Sequence, residues 1–243
     1  MEEKKVIFKS QGQKVVGILH EPEHPKEHSI IIIPGFRSTK EAWVSISRLL
    51  CKNNFRTLRI DLRGRGESEG IFEEMTLTDS ISDVRGAIDF LGTNVGIIGG
   101  SYGGFVCIHT ASIDKRIRTL DLISPIVDIK TVHGGKAYSE VKKKGFFKYD
   151  AKWRGIMDVY TKKLFDDAIK YDSYEVIKKI KKPLIIFHGE KDNVVPFEDV
   201  KKFFKSANQP KELISYSDSD HSLKKHEDEV ESKILQWFKK WLR

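Results

Sequence analysis

The chain has 243 residues, 39% of them hydrophobic and 32% charged, a composition that excludes a disordered, collagen-like or low-complexity body and suffices for one large domain. The formal net charge is +8, but lysines are scattered among glutamates and no nucleic-acid-binding motif accompanies them, so the surplus reads as a solvated surface. The longest apolar runs, among them residues 30–33 and 184–187, fall far short of the roughly 20 residues a membrane-spanning helix needs.

The first residues, Met1-Glu2-Glu3-Lys4-Lys5, lack the apolar stretch of a secretory signal, so the chain reads as cytoplasmic. Residues 4–10 and 14–20 are β-type runs split by Gln11-Gly12-Gln13, which predicts an N-terminal hairpin. A fully apolar run follows at 29–34, and runs of the same type recur at 55–60, 95–98, around 120–123 and at 184–187. Continuous apolar strands bounded by turn residues belong to a parallel sheet buried on both faces. Between them, residues 41–52 carry Trp43, Ile46, Leu49 and Leu50 at helical spacing, and residues 79–91 carry Ile81, Val84, Ile88 and Leu91 likewise. The last helix, about 228–242, presents Val230, Ile234, Phe238 and Trp241 on one side. The alternation predicts an α/β fold with a mostly parallel central sheet flanked by helices, in a single domain over 1–243.

Between residues 125 and 182 the alternation stops, and lysines and aromatics interleave without a clear buried strand. A segment of that length between two sheet strands predicts an inserted lid or cap, the alternative being a crossover with extra helices at 162–171 and 174–180. Cys51 and Cys107 lie in apolar stretches and read as small hydrophobes, with no disulfide framework.

The chemistry concentrates in Val95-Gly96-Ile97-Ile98-Gly99-Gly100-Ser101-Tyr102-Gly103-Gly104-Phe105. A buried strand runs through Gly-x-Ser-x-Gly into a helix, which is the context of a nucleophile elbow: the serine sits on a strained turn with its hydroxyl exposed. A serine hydroxyl is a poor nucleophile and needs a histidine base held in its tautomer by a carboxylate. Asp192 follows the strand at 184–187 and is the expected acid. His221 follows the next strand, 213–216, and is the expected base. Read alone, Asp192 stabilises a turn and His221 is one of eight histidines; three such residues after successive strands, in the order serine, acid, histidine, point to a triad. Asp218 and Asp220 are rival acids, ranked second because they would have to curl back onto the ring. Backbone N–H groups of Tyr102 and of Phe36, just past Pro34-Gly35, are the expected oxyanion donors.

The segments Pro34-Gly35-Phe36, Asp61-Leu62-Arg63-Gly64-Arg65-Gly66-Glu67-Ser68-Glu69-Gly70, Gly99-Gly100-Ser101-Tyr102-Gly103-Gly104, His188-Gly189-Glu190-Lys191-Asp192-Asn193-Val194-Val195-Pro196 and Asp220-His221 resemble the α/β-hydrolase superfamily. Within it the chain is similar to small carboxylesterases of the cinnamoyl and feruloyl esterase type. The resemblance covers nearly the whole chain and implies Ser101 as nucleophile, His221 as base, Asp192 as acid, and Phe36 and Tyr102 as oxyanion donors. Many relatives carry His-Gly where this chain has Pro34-Gly35. Asp61 and Arg63 are expected to brace loops.

His20, His24 and His28 are spaced by four, but Pro22 and Pro25 forbid the helix that would align them as metal ligands, so an exposed loop is expected. Lys142–Lys144 beside Phe146, Phe147 and Trp153 suit an aromatic-lined acyl pocket with a lysine edge better than a nucleic-acid surface. The expected activity is hydrolysis of carboxylic esters with short or aromatic acyl groups, needing no metal or organic cofactor. The expected partner is a small-molecule ester, with a homodimer left open. The alternatives are an acyl thioesterase, to whose anionic carriers the lysine-rich insert would appeal, a peptidase or amidase, and a non-catalytic binder of the same fold.

Overall fold

Strand β3 (Ser29–Ile33) is buried along its whole length, and its side chains divide by parity. Ile31 and Ile33 enter one hydrophobic core and Ile30 and Ile32 another, as the period of two in a strand requires. The computed structural model describes residues 1–151 and 156–242. In it β3 lies inside an eight-stranded sheet made of β1 (Glu2–Ser10), β2 (Gln13–Glu21), β3, β4 (Arg56–Ile60), β5 (Val95–Gly100), β6 (Ile117–Ile123), β9 (Leu184–Gly189) and β10 (Lys211–Tyr216), ordered β1-β2-β4-β3-β5-β6-β9-β10. β1 and β2 form the expected antiparallel hairpin, β2 runs antiparallel to β4, and every pairing from β4 to β10 is parallel.

Helices cover both faces. α1 (Val44–Lys52) and α8 (Glu227–Trp241) bury Ile46, Leu50, Val230, Ile234 and Phe238 against one side. α2 (Leu77–Leu91), α3 (Tyr102–Ile113) and α7 (Phe197–Ser206) cover the other. α2 starts with a capping box between Thr76 and Asp79 and stops at Gly92 in the left-handed conformation, the start and stop chemistry that fixes a helix's length. The helix expected from residue 41 begins at Val44, because Lys40–Trp43 first makes a 3-10 turn capped by Thr39. Trp43, at the end of that turn, still packs against the cluster that holds Ile46 and Leu50.

The insert between β6 and β9 contains α4 (Lys136–Lys144), the hairpin β7 (Phe146–Ala151) and β8 (Ile156–Thr161), α5 (Lys162–Ala168) and α6 (Ser173–Ile177). Where the sequence offered no clear buried strand, the structure has this hairpin. Phe147 is buried while Phe146 and Lys148 are exposed, a period-two alternation too short to stand out beside the lysines of 142–144. Trp153 lies outside the described residues. The histidine expectation is also corrected: His20 is fully buried on β2, with its Nε2 3.2 Å from Arg59 Nη2, and His28 is buried just before β3; His24 is exposed. The two prolines do prevent a helix, but the hairpin strand continues through His20 and folds it inward. No helix among the described residues is long and apolar enough to cross a membrane.

Candidate active site

Every sequence-predicted site residue follows the C-terminal end of a parallel strand: Phe36 after β3, Ser101 after β5, Asp192 after β9 and His221 after β10. This is the edge where an open α/β sheet gathers its loops. Ser101 has φ 52° and ψ −115°, a left-handed conformation that is costly for a residue with a side chain and is retained where surrounding structure enforces it. The enforcement is visible. Ser101 N–H donates to Ile123 O at 2.8 Å, and Ile126 N–H donates to Ser101 O at 3.0 Å. A Cβ at Gly103 would come within 2.4 Å of Ile33 O, and one at Gly99 within 2.5 Å of Gly103 O, so the strand-to-helix turn closes because both flanking residues are glycine.

The acid loop and the base loop are tied together. Glu190 N–H donates to Tyr216 O and Lys191 N–H to Ser219 O, while Gly189 packs so closely on the Ser219 and Asp220 carbonyls that no side chain fits there. The buried side chain of Asp192 accepts Val194 N–H at 2.8 Å and Val195 N–H at 2.9 Å on Oδ1, while Oδ2 faces His221 Nδ1 at 2.7 Å and His188 Nε2 at 3.4 Å. His221 Nε2 lies 3.0 Å from Ser101 Oγ. Burial works to raise the Asp192 carboxyl, but the charge and hydrogen bond of His221, with help from His188 and Val195 N–H, leave it below the ordinary carboxylate value. An ionised acid behind the ring holds Nδ1 protonated and turns Nε2 toward the serine as an acceptor. The rival acids are engaged elsewhere: Asp218 accepts from His226 at 2.8 Å, and Asp220 from Ser222 at 2.7 Å.

Tyr102 opens α3, so its N–H has no acceptor within the helix. The 35–36 peptide runs alongside the nucleophile, since a Cβ on Gly35 would stand 3.3 Å from Gly100 O and 3.5 Å from Ser101 Cβ. Asp61 and Arg63 brace loops. Asp61 accepts Lys40 N–H at 2.8 Å, Lys40 Nζ at 2.6 Å and Glu67 N–H at 3.0 Å, and Arg63 donates to Asp83 and Asp79.

A cavity of about 540 Å³ opens over Ser101. On one side it is walled by Trp43, Ile46 and Ile234, and on the other, beneath the insert, by His133, Tyr149 and Tyr160. Trp43 packs with Ile46 and Leu50, as its spacing predicted, and its indole also lies against Gly100, where an added Cβ would approach Cζ2 to 2.7 Å, a cavity role the sequence did not signal. His133 went unnoticed. Its N–H donates to Val194 O, its φ is 54°, and its ring lies 4.0 Å from that of Tyr149. Burial, then the nearby His221, lowers its pKa to about 4, so it faces the cavity uncharged. The His-Gly-Gly run at 133–135, which needs left-handed backbone, was the available signal. No His, Cys, Asp and Glu grouping among the described residues could hold a metal ion.

The sequence model of the prolyl oligopeptidase family matches residues 47–243. The acylamino-acid-releasing enzyme of Homo sapiens is 26% identical over 96% of this chain and 34% of its own length. The chain thus spans about a third of the acylamino-acid-releasing enzymes it matches. The bifunctional esterase/perhydrolase DCH of Acinetobacter calcoaceticus is 25% identical over 92% of this chain and 96% of its own. Among solved structures, Est1E of Butyrivibrio proteoclasticus with ferulic acid bound superimposes with a TM-score of 0.82 at 22% identity, covering 98% of this chain and 99% of its own. The two chains share the α/β-hydrolase fold.

Proposed function

Because the chain belongs to the prolyl oligopeptidase family, we propose that it is a serine hydrolase that cleaves carboxylic esters through an acyl-enzyme. The observation that carries this reading is the relay from Asp192 through His221 to Ser101, with links of 2.7 and 3.0 Å, at the wall of the cavity. Ser101 Oγ attacks the ester carbonyl as its proton passes to His221 Nε2. Asp192 stabilises the imidazolium that forms, and the Phe36 and Tyr102 N–H groups receive the oxyanion. His221 then gives the proton to the leaving alcohol, and a water attacking by the reverse route frees Ser101 and the carboxylic acid.

The insert acts as a lid whose Tyr149 and Tyr160 wall the acyl site. An aromatic wall suits short or aromatic acyl groups, in keeping with an esterase/perhydrolase among the relatives and a ferulic-acid complex among the structural neighbours. Hydrolysis of an acyl-amino-acid amide is the second reading, favoured by the family match and by the acylamino-acid-releasing enzymes.

The test is a panel of p-nitrophenyl esters from acetate to palmitate, methyl ferulate, an acyl-CoA and an N-acetylamino-acid anilide, assayed on wild type and Ser101→Ala. Ester hydrolysis lost in the variant is the expected result. Activity confined to the anilide would establish the amide reading, activity confined to the acyl-CoA a thioesterase, and none on any substrate would leave a non-catalytic binder.

A further inference from the structure

Arg65 belongs to a loop that the reaction scheme leaves without a chemical task. It is 5% exposed. Its loop is rigid: Arg65 N–H donates to Leu62 O, Ser68 N–H to Arg65 O and Gly64 N–H to Glu69 O, and the Asp61–Lys40 pair closes its base. From this loop Arg65 Nη1 donates to Gly35 O at 2.8 Å, while Nη2 reaches Met75 Sδ at 3.2 Å. The guanidinium carbon stands 5.5 Å from the centre of the Phe36 ring, 5.1 Å from that of Tyr102 and 5.4 Å from that of Phe72. One buried cation therefore touches both residues whose backbone N–H groups were assigned to the oxyanion.

The carbonyl of Gly35 and the N–H of Phe36 are two ends of one peptide unit. In a trans peptide they point in opposite directions. Fixing the carbonyl on Arg65 therefore fixes the direction of the Phe36 N–H, away from Arg65, on a peptide that runs beside Gly100 and Ser101. The Gly35 carbonyl has a second anchor, the Ser38 N–H at 3.1 Å, but that bond closes a turn within a loop where Arg37 holds a φ of 51°, whereas Arg65 ties the same carbonyl to a different loop. A charge-assisted hydrogen bond is about twice as strong as a neutral one. The guanidinium also places a permanent positive charge behind the site where negative charge develops, in surroundings that screen it little.

We propose that Arg65 is the positioning residue of the oxyanion site: it orients the 35–36 peptide and adds a fixed positive field behind both donors. This rests on the ester-hydrolase reading given above. Since the oxyanion exists in the transition state and not in the bound ester, loss of Arg65 acts on kcat and spares KM.

The experiment compares wild type with Arg65→Met, which keeps an unbranched apolar stem and removes the guanidinium with its charge and donors, and with Arg65→Lys, which keeps the charge. Steady-state hydrolysis of p-nitrophenyl butyrate is measured together with inhibition by an arylboronic acid, which becomes tetrahedral on the serine oxygen, and with added guanidinium chloride at low millimolar concentration. The expected result for Arg65→Met is a fall of about 100-fold in kcat with KM within about threefold, and a matching loss of boronate affinity. Arg65→Lys retains part of both, and guanidinium restores part of the Met variant's kcat. A folded Arg65→Met enzyme with unchanged kcat and boronate affinity, or one whose whole loss lies in KM, overturns the proposal. Should Arg65→Met not fold, the Lys variant decides it on the same split of kcat and boronate affinity against KM. Wild type that hydrolyses no ester would instead sink the ester-hydrolase reading and this inference with it, so the two failures are distinguishable.

Discussion

The ring of Tyr160 lies face to face on that of Phe36, with centroids 4.4 Å apart and planes within 3° of parallel. Tyr160 belongs to β8 of the insert and Phe36 to the loop after β3, so the insert and the candidate oxyanion loop share one packed contact. Removing the phenol ring frees Phe36 to shift, and displacements of about an ångström at a reacting centre cost up to about 100-fold in rate. Tyr160→Ala is therefore expected to lower kcat by about 10- to 100-fold, and Tyr160→Phe, which preserves the stacked ring, by much less. Steady-state kinetics on one activated ester checks both.

Asp192 and the rival Asp218 provide a contrast. Asp192 divides its oxygens between the Val194 and Val195 N–H groups and His221, whereas Asp218 serves Lys225 and His226 on the surface. Asp192→Asn is expected to lower kcat by about 10,000-fold, because an amide stabilises the wrong tautomer of the base. Asp218→Asn is expected to stay within a few-fold of wild type. The same ester assay compares them.

Much of this was legible in the sequence because strand hydrophobicity and loop order are local signals. The fully apolar runs marked β3, β5 and β9, and residues just past the ends of successive strands had to converge on one sheet edge. What stayed hidden was tertiary. The 3-10 turn, capped by Thr39, that places Trp43 against Gly100 at the wall of the cavity as well as against the α1 core is encoded by no periodicity. The β7–β8 hairpin was masked because charged Lys148 and Asp150 alternate with its inward residues, and His20, the last residue of the predicted run, is turned inward by the alternation of β2, which ends just before Pro22.

Trp43 is expected to limit the length of the acyl group. Its indole closes the cavity against Gly100, so Trp43→Ala should move the preference toward longer chains, whereas Gly100→Ala, whose new methyl meets Cζ2 at 2.7 Å, should lower activity on every chain length. The series of p-nitrophenyl esters reads both; an unchanged profile in Trp43→Ala would place the acyl group elsewhere.

Acid stability follows from the buried histidines. His109 on α3 is 2% exposed, with Nε2 3.0 Å from Ser173 Oγ, and burial lowers its pKa to about 4; His133 shifts the same way. Between the ordinary histidine value of about 6.5 and pH 4, the unfolded chain binds protons that the folded protein refuses, so stability is full above this window and falls as pH drops through it. Thermal melts from pH 7.5 to 4 should show a falling Tm, with a shallower slope in His109→Asn, whose amide can still meet Ser173. Parallel slopes would assign the loss to other groups.

The most direct test of the account is covalent labelling of the protein with a fluorophosphonate, read by mass spectrometry of the peptides. The account requires one adduct, on Ser101, absent from Ser101→Ala and formed orders of magnitude more slowly in His221→Ala. Equal labelling of wild type and Ser101→Ala, or an adduct confined to another residue, would contradict it.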